Sequence, residues 1–358
     1  MAGRRNTPIT KHIWKPYHIL NRSIMLHGPT NTGKSKTTMY LISLIKDAID
    51  TVGVACPSKD LNKDWDGIVP DILIRKNLST EYLESVMTMQ ETKKDAIEMA
   101  EKIGEKYWRR LEGSSSVDRR YEAKIKEIEA NAEKNKELLT GEDYSQIAYD
   151  KEMALYARNK ESRNLIMKNA KNLFKANNAK FGDKKDQVST NLTIFVLYYR
   201  LNMNMLLIID DATDQFADVD DSAWKKLITK SRHYRITLLI TTHSLNDVKV
   251  PVLRTNPFWH VFTAVGNAAY FLNNTTTGVK GLITPSMADL DNAFYLTDEQ
   301  KNTHMKKVAI SRDLGKIVTF MFKVEKPPTI GSKTLWKASK IMEAKKESKP
   351  MALKGRMF

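Results

Sequence analysis

One eight-residue segment, GPTNTGKS at 28–35, constrains the possible folds of this chain more than any other feature. It matches the pattern G-x-x-x-x-G-K-[ST] in full, and it lies between an apolar segment, SIMLH, and a segment whose apolar residues have helical spacing. Glycines let successive backbone N–H groups of such a loop point at a phosphate, and the helix N-terminus that follows adds positive potential. The sequence therefore predicts a strand, a phosphate-binding loop (P-loop) and a helix.

Two side chains of the P-loop have predicted roles. Lys34 is expected to reach the β- and γ-phosphates of a bound nucleotide, and the Ser35 hydroxyl is expected to bind Mg²⁺. ATP and Mg²⁺ are the cofactors that this pattern predicts. The predicted nucleotide-binding residues are Gly28, Pro29, Thr30, Asn31, Thr32, Gly33, Lys34, Ser35 and Lys36.

Strand-like and helix-like segments alternate around the P-loop. Besides SIMLHG, the predicted strands are TVGVAC at 51–56, LLII at 206–209, ITLLITTHS at 236–244, FWHVFTAV at 258–265 and KIVTFMFKV at 316–324. Helices are predicted at 34–49 and 221–234. Alternation of this kind favours an α/β fold with a mostly parallel, doubly wound sheet, with a core made of residues 23–84 and 187–330.

Two adjacent acids, Asp210 and Asp211, follow the apolar strand at 206–209. The carboxyl ends of parallel strands face the ligand crevice of such a sheet. Asp210 is therefore expected to hold Mg²⁺, directly or through water, and Asp211 to orient or deprotonate the attacking water. The alternative is an acid pair that only caps a following helix.

The strand at 236–244 also ends in polar side chains, Thr242 and His243. A polar group at this point would lie between the metal-site carboxylates and contact the γ-phosphate. His243 is preferred over Thr242 for this contact, and the alternative is a polar strand end that touches no phosphate.

Three arginines flank the same strand: Arg232 and Arg235 precede it, and Arg254 follows it. An arginine placed against the γ-phosphate of a neighbouring subunit can raise the rate of hydrolysis by about 10³–10⁵. Arg232 and then Arg254 are the candidates for this catalytic role, whereas Arg235 is expected to be a solvated surface residue.

Residues 85–186 differ in composition from the rest, because they are dense in charges of both signs and poor in proline and glycine. Many opposite charges are four residues apart, which stabilises helices. A helical insertion, either a hairpin or a short coiled coil, is predicted here. It is either a solvated helix pair or an arm that contacts a partner. Residues 188–201 fit a helix or a buried strand equally well.

The formal net charge of +16 is concentrated at the two ends of the chain. Residues 1–22 carry five basic side chains and no acid, and residues 331–358 carry eight basic side chains against two acids. We expect these segments to be basic arms that bind a polyanion, although such arms also serve solubility alone.

Composition excludes several other classes of protein. The single cysteine, Cys56, excludes an internal disulfide and a cysteine-built zinc site, and it favours a reducing compartment. No apolar run approaches the ~18 residues that span a bilayer. The basic start of the chain lacks the apolar stretch of a secretory signal, so no membrane partner is expected.

Taken in order, these segments resemble the poxvirus-type DNA-packaging ATPases of large DNA viruses, a branch of the FtsK/HerA-like P-loop NTPases. The resemblance covers roughly 23–83 and 200–265. It rests on GPTNTGKS, a strand ending at Pro57, KDWDGIVP at 63–70, LLIIDDATDQF, ITLLITTHS and VKVPVLR. Two positions differ: Ser231-Arg232-His233 replaces the family's Gly-Arg-His, and Thr242-His243 replaces a glutamine.

The resemblance implies a RecA-like (ASCE) core in a ring, a pentamer or hexamer, that hydrolyses ATP between subunits. Such a motor moves double-stranded DNA into a capsid at a portal vertex, in the virion or at the site of virus assembly. DNA would be held without sequence preference through its phosphates.

Three alternatives remain open at this point. The first is a tailed-phage-type packaging motor or another P-loop ATPase that acts on nucleic acid. The second is a nucleotide kinase, although no arginine-rich lid is evident. The third is an ATP-gated scaffold that hydrolyses nothing, for which the acid pair would be unnecessary.

Overall fold

The structure, a computed structural model, describes residues 8–60, 64–181, 185–274, 285–311, 313–331 and 336–342, and it describes no side chain in 177–189. The chain divides into two compact units. The first comprises Met1–Glu84 and Asn204–Phe358, and the second comprises Ser85–Met203.

The first unit is built on one sheet, which has nine strands in the described residues. The strands are β1 (Ile9–Lys11), β2 (Ser23–His27), β3 (Thr51–Ala55), β4 (Ile74–Arg75), β5 (Met205–Ile209), β6 (Ile236–Thr242), β7 (Trp259–Phe262), β8 (His304–Ser311) and β9 (Lys316–Lys323). Their order across the sheet is β1-β9-β8-β7-β2-β6-β5-β3-β4. All neighbours are parallel except β7–β8 and β8–β9, so the predicted mostly parallel sheet is confirmed.

The strand order also identifies the fold class. β2 leads into the P-loop and β5 leads into the acid pair, and β6 lies between them. An additional strand between the P-loop strand and the acidic strand defines the ASCE, RecA-like arrangement of P-loop NTPases. The fold predicted from the sequence is therefore confirmed.

Helices cover this sheet and make up the second unit. They are α1 (Lys34–Ile45), α2 (Thr80–Trp108), α3 (Ser114–Lys134), α4 (Gly141–Phe181), α5 (Lys185–Tyr198), α6 (Asp221–Lys230), α7 (Pro251–Thr255), α8 (Val265–Asn273), α9 (Met287–Phe294) and α10 (Asp298–Lys301). In α1 the apolar residues Met39, Ile42 and Ile45 recur at helical spacing and are all buried. Burial of this face orients the helix that carries Lys34 and Ser35 at its first turn.

Part of the predicted N-terminal arm belongs to the sheet instead. β1 pairs with β9, with Ile9 opposite Ile317, and Trp14 and Ile19 are buried. The Trp14 ring packs edge-on against Trp259 at 5.0 Å. The structure thus differs from the prediction for residues 8–22, because their apolar side chains outweigh their charge. Residues 1–7 and 343–358 of the two predicted basic arms lie outside the described residues.

The second unit is helical and extends to Met203, whereas the insertion predicted from the sequence ends at residue 186. Phe195 and Tyr199 are buried in one cluster with Trp108 and Ile166. The segment that fitted either a helix or a strand is the helix α5, and it supplies apolar residues to this core. Instead of a single hairpin, the unit contains α3, α4, α5 and most of α2.

No helix in the described part of the chain is long and apolar enough to cross a membrane.

Candidate active site

Five parallel strands end at one edge of the sheet, and the predicted site residues follow them. His27 is in register with Thr242 on one side and Phe262 on the other, while Ala55 is in register with Ile209. β2, β3, β5, β6 and β7 therefore end level with one another. The loops after them form the crevice in which open α/β sheets bind ligands.

The P-loop takes its shape from its two glycines. A Cβ on Gly28 would lie 1.7 Å from Thr263 Oγ1, so a side chain does not fit there. Gly33 has a φ of 91°, in the left-handed region that favours glycine. It is the N-cap of α1, and its carbonyl accepts the N–H of Thr37 at 2.9 Å. The loop thus leads into a helix N-terminus, which favours anions.

The Lys34 ammonium is folded back onto this loop. Its Nζ donates to the carbonyls of Gly28 at 2.6 Å and Pro29 at 3.1 Å, and to His243 Nδ1 at 3.3 Å. Burial lowers the pKa of Lys34, and the charges of Asp211 and Asp210 partly oppose this. In this position the ammonium occupies carbonyl acceptors that a phosphate would replace.

Asp210 is held rigidly and is only 6% exposed. Its carboxylate accepts a hydrogen bond from Trp65 Nε1 at 2.7 Å and another from Thr241 Oγ1 at 2.6 Å. Burial raises the pKa of Asp210; these two hydrogen bonds oppose the shift, and the charges of Asp211 and Asp64 add to it. Two fixed donors thus orient a carboxylate that burial makes costly to ionise.

Asp64 and Trp65 were not predicted as site residues. The Ser35 hydroxyl donates to Asp64 Oδ2 at 2.5 Å, and the next residue, Trp65, contacts Asp210. A single segment therefore touches both predicted metal ligands. The signal in the sequence was the W-D-G segment of the family resemblance, which contains Trp65 and follows Asp64.

Hard oxygen donors that suit Mg²⁺ meet here. The hydroxyl of Ser35 and the carboxylates of Asp64 and Asp210 are the ligand type that Mg²⁺ prefers, and Mg²⁺ usually takes one or two protein ligands plus water and phosphate. Among the described residues, no three His, Cys, Asp or Glu side chains are grouped to hold a metal alone. The residues present therefore fit Mg²⁺ bound together with a nucleotide.

Asp211 and His243 form the second polar contact of the crevice. His243 Nε2 lies 2.6 Å from Asp211 Oδ1, and both side chains are partly exposed. With Nδ1 accepting from Lys34, Nε2 carries the proton and donates to Asp211. Asp211 has a φ of 52°, and its N–H donates to Thr241 Oγ1 at 3.0 Å. Left-handed backbone at an aspartate is uncommon, and such backbone clusters at functional sites.

Thr242 is placed differently from its neighbour His243. Its hydroxyl is fully buried and bonds to Thr213 Oγ1 at 3.2 Å and to the Ser244 carbonyl at 3.1 Å. The structure therefore brings His243, and not Thr242, together with Lys34 and Asp211.

The two preferred arginines lie in different surroundings. The Nε of Arg254 donates to the carbonyl of Val248, and its Nη2 lies 3.5 Å from the carbonyl of Asn246, so it ties down the loop after β6. Arg232 precedes β6 and lines a cavity of about 680 Å³ together with Arg22 and Asp313. This cavity lies at the amino-terminal edge of the sheet, across from the P-loop.

Two further cavities adjoin the crevice. One of about 680 Å³ lies beside Asp211 and His243. The other, of about 290 Å³, is lined by Ser35, Lys36 and Tyr40, whose ring stacks on Phe322 at 4.4 Å. The flat base of a nucleotide could stack on these aromatic rings, and the base would then lie next to the start of α1.

Comparison with known proteins gave distant relatives. No family model matches the chain. Protein B354L of African swine fever virus, which carries the description uncharacterized, is 26% identical over 279 residues in the Warthog/Namibia isolate. The match covers 73% of this chain and 71% of that protein. In the Tick/Malawi isolate the identity is 25%, with the same coverage.

Two solved structures are also similar, with low scores. The plasmid coupling protein TrwB, in complex with the non-hydrolysable GTP analogue GDPNP, is 14% identical, with a TM-score of 0.38 and 91% of each chain covered. VirB4 of Thermoanaerobacter pseudethanolicus is 13% identical, with a TM-score of 0.35; 92% of this chain and 98% of that chain are covered.

Proposed function

We propose that this chain hydrolyses ATP in the crevice between the P-loop and the acid pair, and that it uses the energy to move double-stranded DNA into a viral capsid. The observation that carries the hydrolytic part is the continuous contact from Lys34 through His243 to Asp211, beside a fixed Asp210. It joins the group that would bind the γ-phosphate to the group that would activate water.

The P-loop and Lys34 would bind the phosphates. Backbone N–H groups of residues 28–35 and the first turn of α1 supply donors, and the Lys34 ammonium would leave the carbonyls of Gly28 and Pro29 for the β- and γ-phosphate oxygens. This exchange of acceptors is favourable because phosphate is anionic and carbonyls are neutral.

Ser35 and Asp210 would hold Mg²⁺. Asp64 would either keep accepting the hydrogen bond from the Ser35 hydroxyl or bind the metal in place of that hydroxyl. Bound there, Mg²⁺ neutralises charge on the β- and γ-phosphate oxygens. The hydrogen bonds from Trp65 and Thr241 keep Asp210 in one orientation for this task.

Asp211 would orient the attacking water and accept its proton as the oxygen bonds to the γ-phosphorus and the bond to the β–γ bridging oxygen breaks. His243 donates to one Asp211 oxygen, which leaves the other to face water. Because His243 also contacts Lys34, the carboxylate is held at a fixed position relative to the phosphate-binding ammonium.

Phosphate release by the purified chain tests this activity. We expect steady release from ATP with Mg²⁺ and none after the metal is removed with a chelator. Nucleotide binding without release would support the scaffold alternative. Release that requires a second nucleotide as phosphate acceptor would support the kinase alternative.

Trp65→Phe should weaken the proposed metal site. The change removes one of the two short hydrogen bonds to the buried Asp210 carboxylate, each worth about 1.5–3 kcal/mol when the acceptor is charged. We expect the Mg²⁺ concentration for half-maximal turnover to rise about tenfold or more. It should rise further as pH falls, because the pKa of Asp210 is already raised by burial.

A matched control for this change is Trp224→Phe. Trp224 is equally buried in the same unit, but its Nε1 donates to the backbone carbonyl of Phe216 and to no predicted metal ligand. If both variants fold and require the same Mg²⁺ concentration, Trp65 does not contribute to the metal site.

The DNA-moving part of the proposal rests on charge and on the family resemblance. The net charge of +16 suits a duplex whose phosphates are bound without sequence preference. A ring of subunits that meets a capsid or portal protein is part of this proposal, and DNA would pass through it as ATP is hydrolysed.

Arg232 is the proposed arginine that acts on a neighbour's site. β6 has seven residues, and at roughly 3.3 Å per residue it separates Arg232 from the crevice of its own subunit by about 20 Å. Arg254 is a weaker candidate, because its guanidinium is bound by backbone carbonyls of its own loop.

Mixing Arg232→Ala subunits with wild type should poison ATPase activity more than in proportion to their fraction, since each altered subunit disables its neighbour's site. The measurement is turnover against mole fraction at constant total protein. Lys230→Ala, an exposed residue at the end of α6, is the control and should show no effect. A linear decline would argue against action between subunits.

A further inference from the structure

Lys307 is a buried lysine that the proposed chemistry does not use. It lies on β8 and is 7% exposed. Its Nζ donates to the carbonyl of Thr32 at 2.8 Å and lies 3.4 Å from the carbonyl of Thr263. An ammonium is costly to bury, and this one makes its shortest hydrogen bond to the backbone of the P-loop.

The contact falls on one particular peptide group. The Thr32 carbonyl belongs to the peptide whose N–H is that of Gly33, one residue before Lys34. Lys307 Nζ would lie 3.7 Å from a Cβ built on Gly33, so it is directly beside this glycine. A cation bonded to a carbonyl polarises the peptide, and its N–H becomes a stronger donor.

Among the residues that the structure describes, none places a counter-charge beside the Lys307 ammonium. Across the sheet its strand partner is Phe320, and Thr32 and Thr263 carry only hydroxyls. The ionisable group on the loop itself is Lys34, whose Nζ bonds to other carbonyls. Burial alone lowers the pKa of Lys307 to about 8.

We infer that Lys307 is a positioning residue for the triphosphate: by holding the Thr32 carbonyl, its ammonium fixes the P-loop and strengthens the Gly33 N–H as a phosphate donor. This inference rests on the proposed nucleotide-binding function of the P-loop.

A proton should therefore bind together with the nucleotide. Phosphate brings negative charge to the other side of one peptide group, which favours the charged form of Lys307 and raises its pKa towards the ordinary value. The free protein is about half protonated at Lys307 at pH 8, so binding should take up roughly half a proton there and almost none at pH 6.5. Affinity should fall about tenfold between pH 7 and pH 9.

Calorimetric titration with a non-hydrolysable ATP analogue and Mg²⁺ tests this, in two buffers of different ionisation enthalpy at pH 8 and at pH 6.5. Lys307→Met should bind about ten- to a hundredfold more weakly at pH 7. It should show no proton uptake, and its KM should rise with little change in kcat. Lys307→Arg stays charged and should retain binding at pH 9.

Lys306→Met is the matched control, because the neighbouring lysine donates instead to the carbonyl of Asn292. It should keep both the affinity and the proton uptake of the wild type. Burial also lowers the pKa of Lys34, so the uptake is assigned to Lys307 by its loss in Lys307→Met or, if that variant does not fold, in Lys307→Arg, whose guanidinium is always protonated. Wild-type binding with no proton uptake at pH 8 would overturn the role of Lys307. Absence of any nucleotide binding by the wild type would overturn the proposed function itself.

Discussion

Lys34→Ala is expected to lower ATP turnover by at least about 10²–10³-fold, the loss seen when one preorganised donor to a developing charge is removed. The alanine keeps α1 intact, because alanine is the best helix former. It also frees the carbonyls of Gly28 and Pro29 and the Nδ1 of His243, all of which accept from this ammonium. Both phosphate binding and the link to Asp211 should therefore be lost.

The measurement is phosphate release, with nucleotide binding followed in parallel. Lys46→Ala is the control, since this exposed lysine follows α1 directly but lies away from the P-loop. Hydrolysis that persists in Lys34→Ala would mean that the P-loop is not the catalytic site.

Asp211→Asn should separate binding from chemistry. Asparagine has the same size, tolerates the left-handed backbone that this position adopts, and keeps an oxygen that can accept from His243 Nε2. It cannot accept a proton from water. Nucleotide affinity should change little, whereas turnover should fall about 10²–10⁴-fold, the contribution of a general base.

Asp214→Asn provides the comparison for this change, because Asp214 is exposed and lines the same cavity as Asp211. Normal turnover in Asp211→Asn would assign the activation of water to another group. An equal loss in both variants would point to the charge of the cavity rather than to one carboxylate.

The fold could be predicted because its strongest signals are local. GPTNTGKS fixes a strand, a loop and a helix, and the apolar run before Asp210 fixes a second buried strand. Since parallel strands end at one edge of a sheet, the two motifs had to meet. This reasoning holds whatever the number of residues between the two motifs, and it also predicted that His243 lies near the P-loop and the acid pair.

Pairing between distant segments could not be predicted. Residues 8–22 read as a basic arm because charge is visible in the sequence, while the pairing of Ile9 with Ile317 is not. Asp64 likewise depends on a contact with Ser35 across 29 positions of the chain. Lys307 reads as an ordinary polar residue of a strand, and only its burial beneath the P-loop distinguishes it.

The residue at which the helical unit ends also could not be predicted from the sequence. Charge density marked residues 85–186, but α5 has little charge beyond its first residues and joins the unit through Phe195 and Tyr199. A helix that contributes apolar residues to a neighbouring helical core looks the same, in sequence, as a buried strand of the sheet.

The proposed motor hydrolyses ATP to move duplex DNA, so contact with the duplex should stimulate its ATPase activity. The most direct test of this claim is the steady-state ATPase rate of the wild-type chain with and without duplexes of unrelated sequence, at about 50 and 200 mM salt. We predict stimulation by every duplex at the lower salt and a large loss of stimulation at the higher salt, because phosphate contacts release counterions. The same rate with and without DNA at both salt concentrations would contradict the claim.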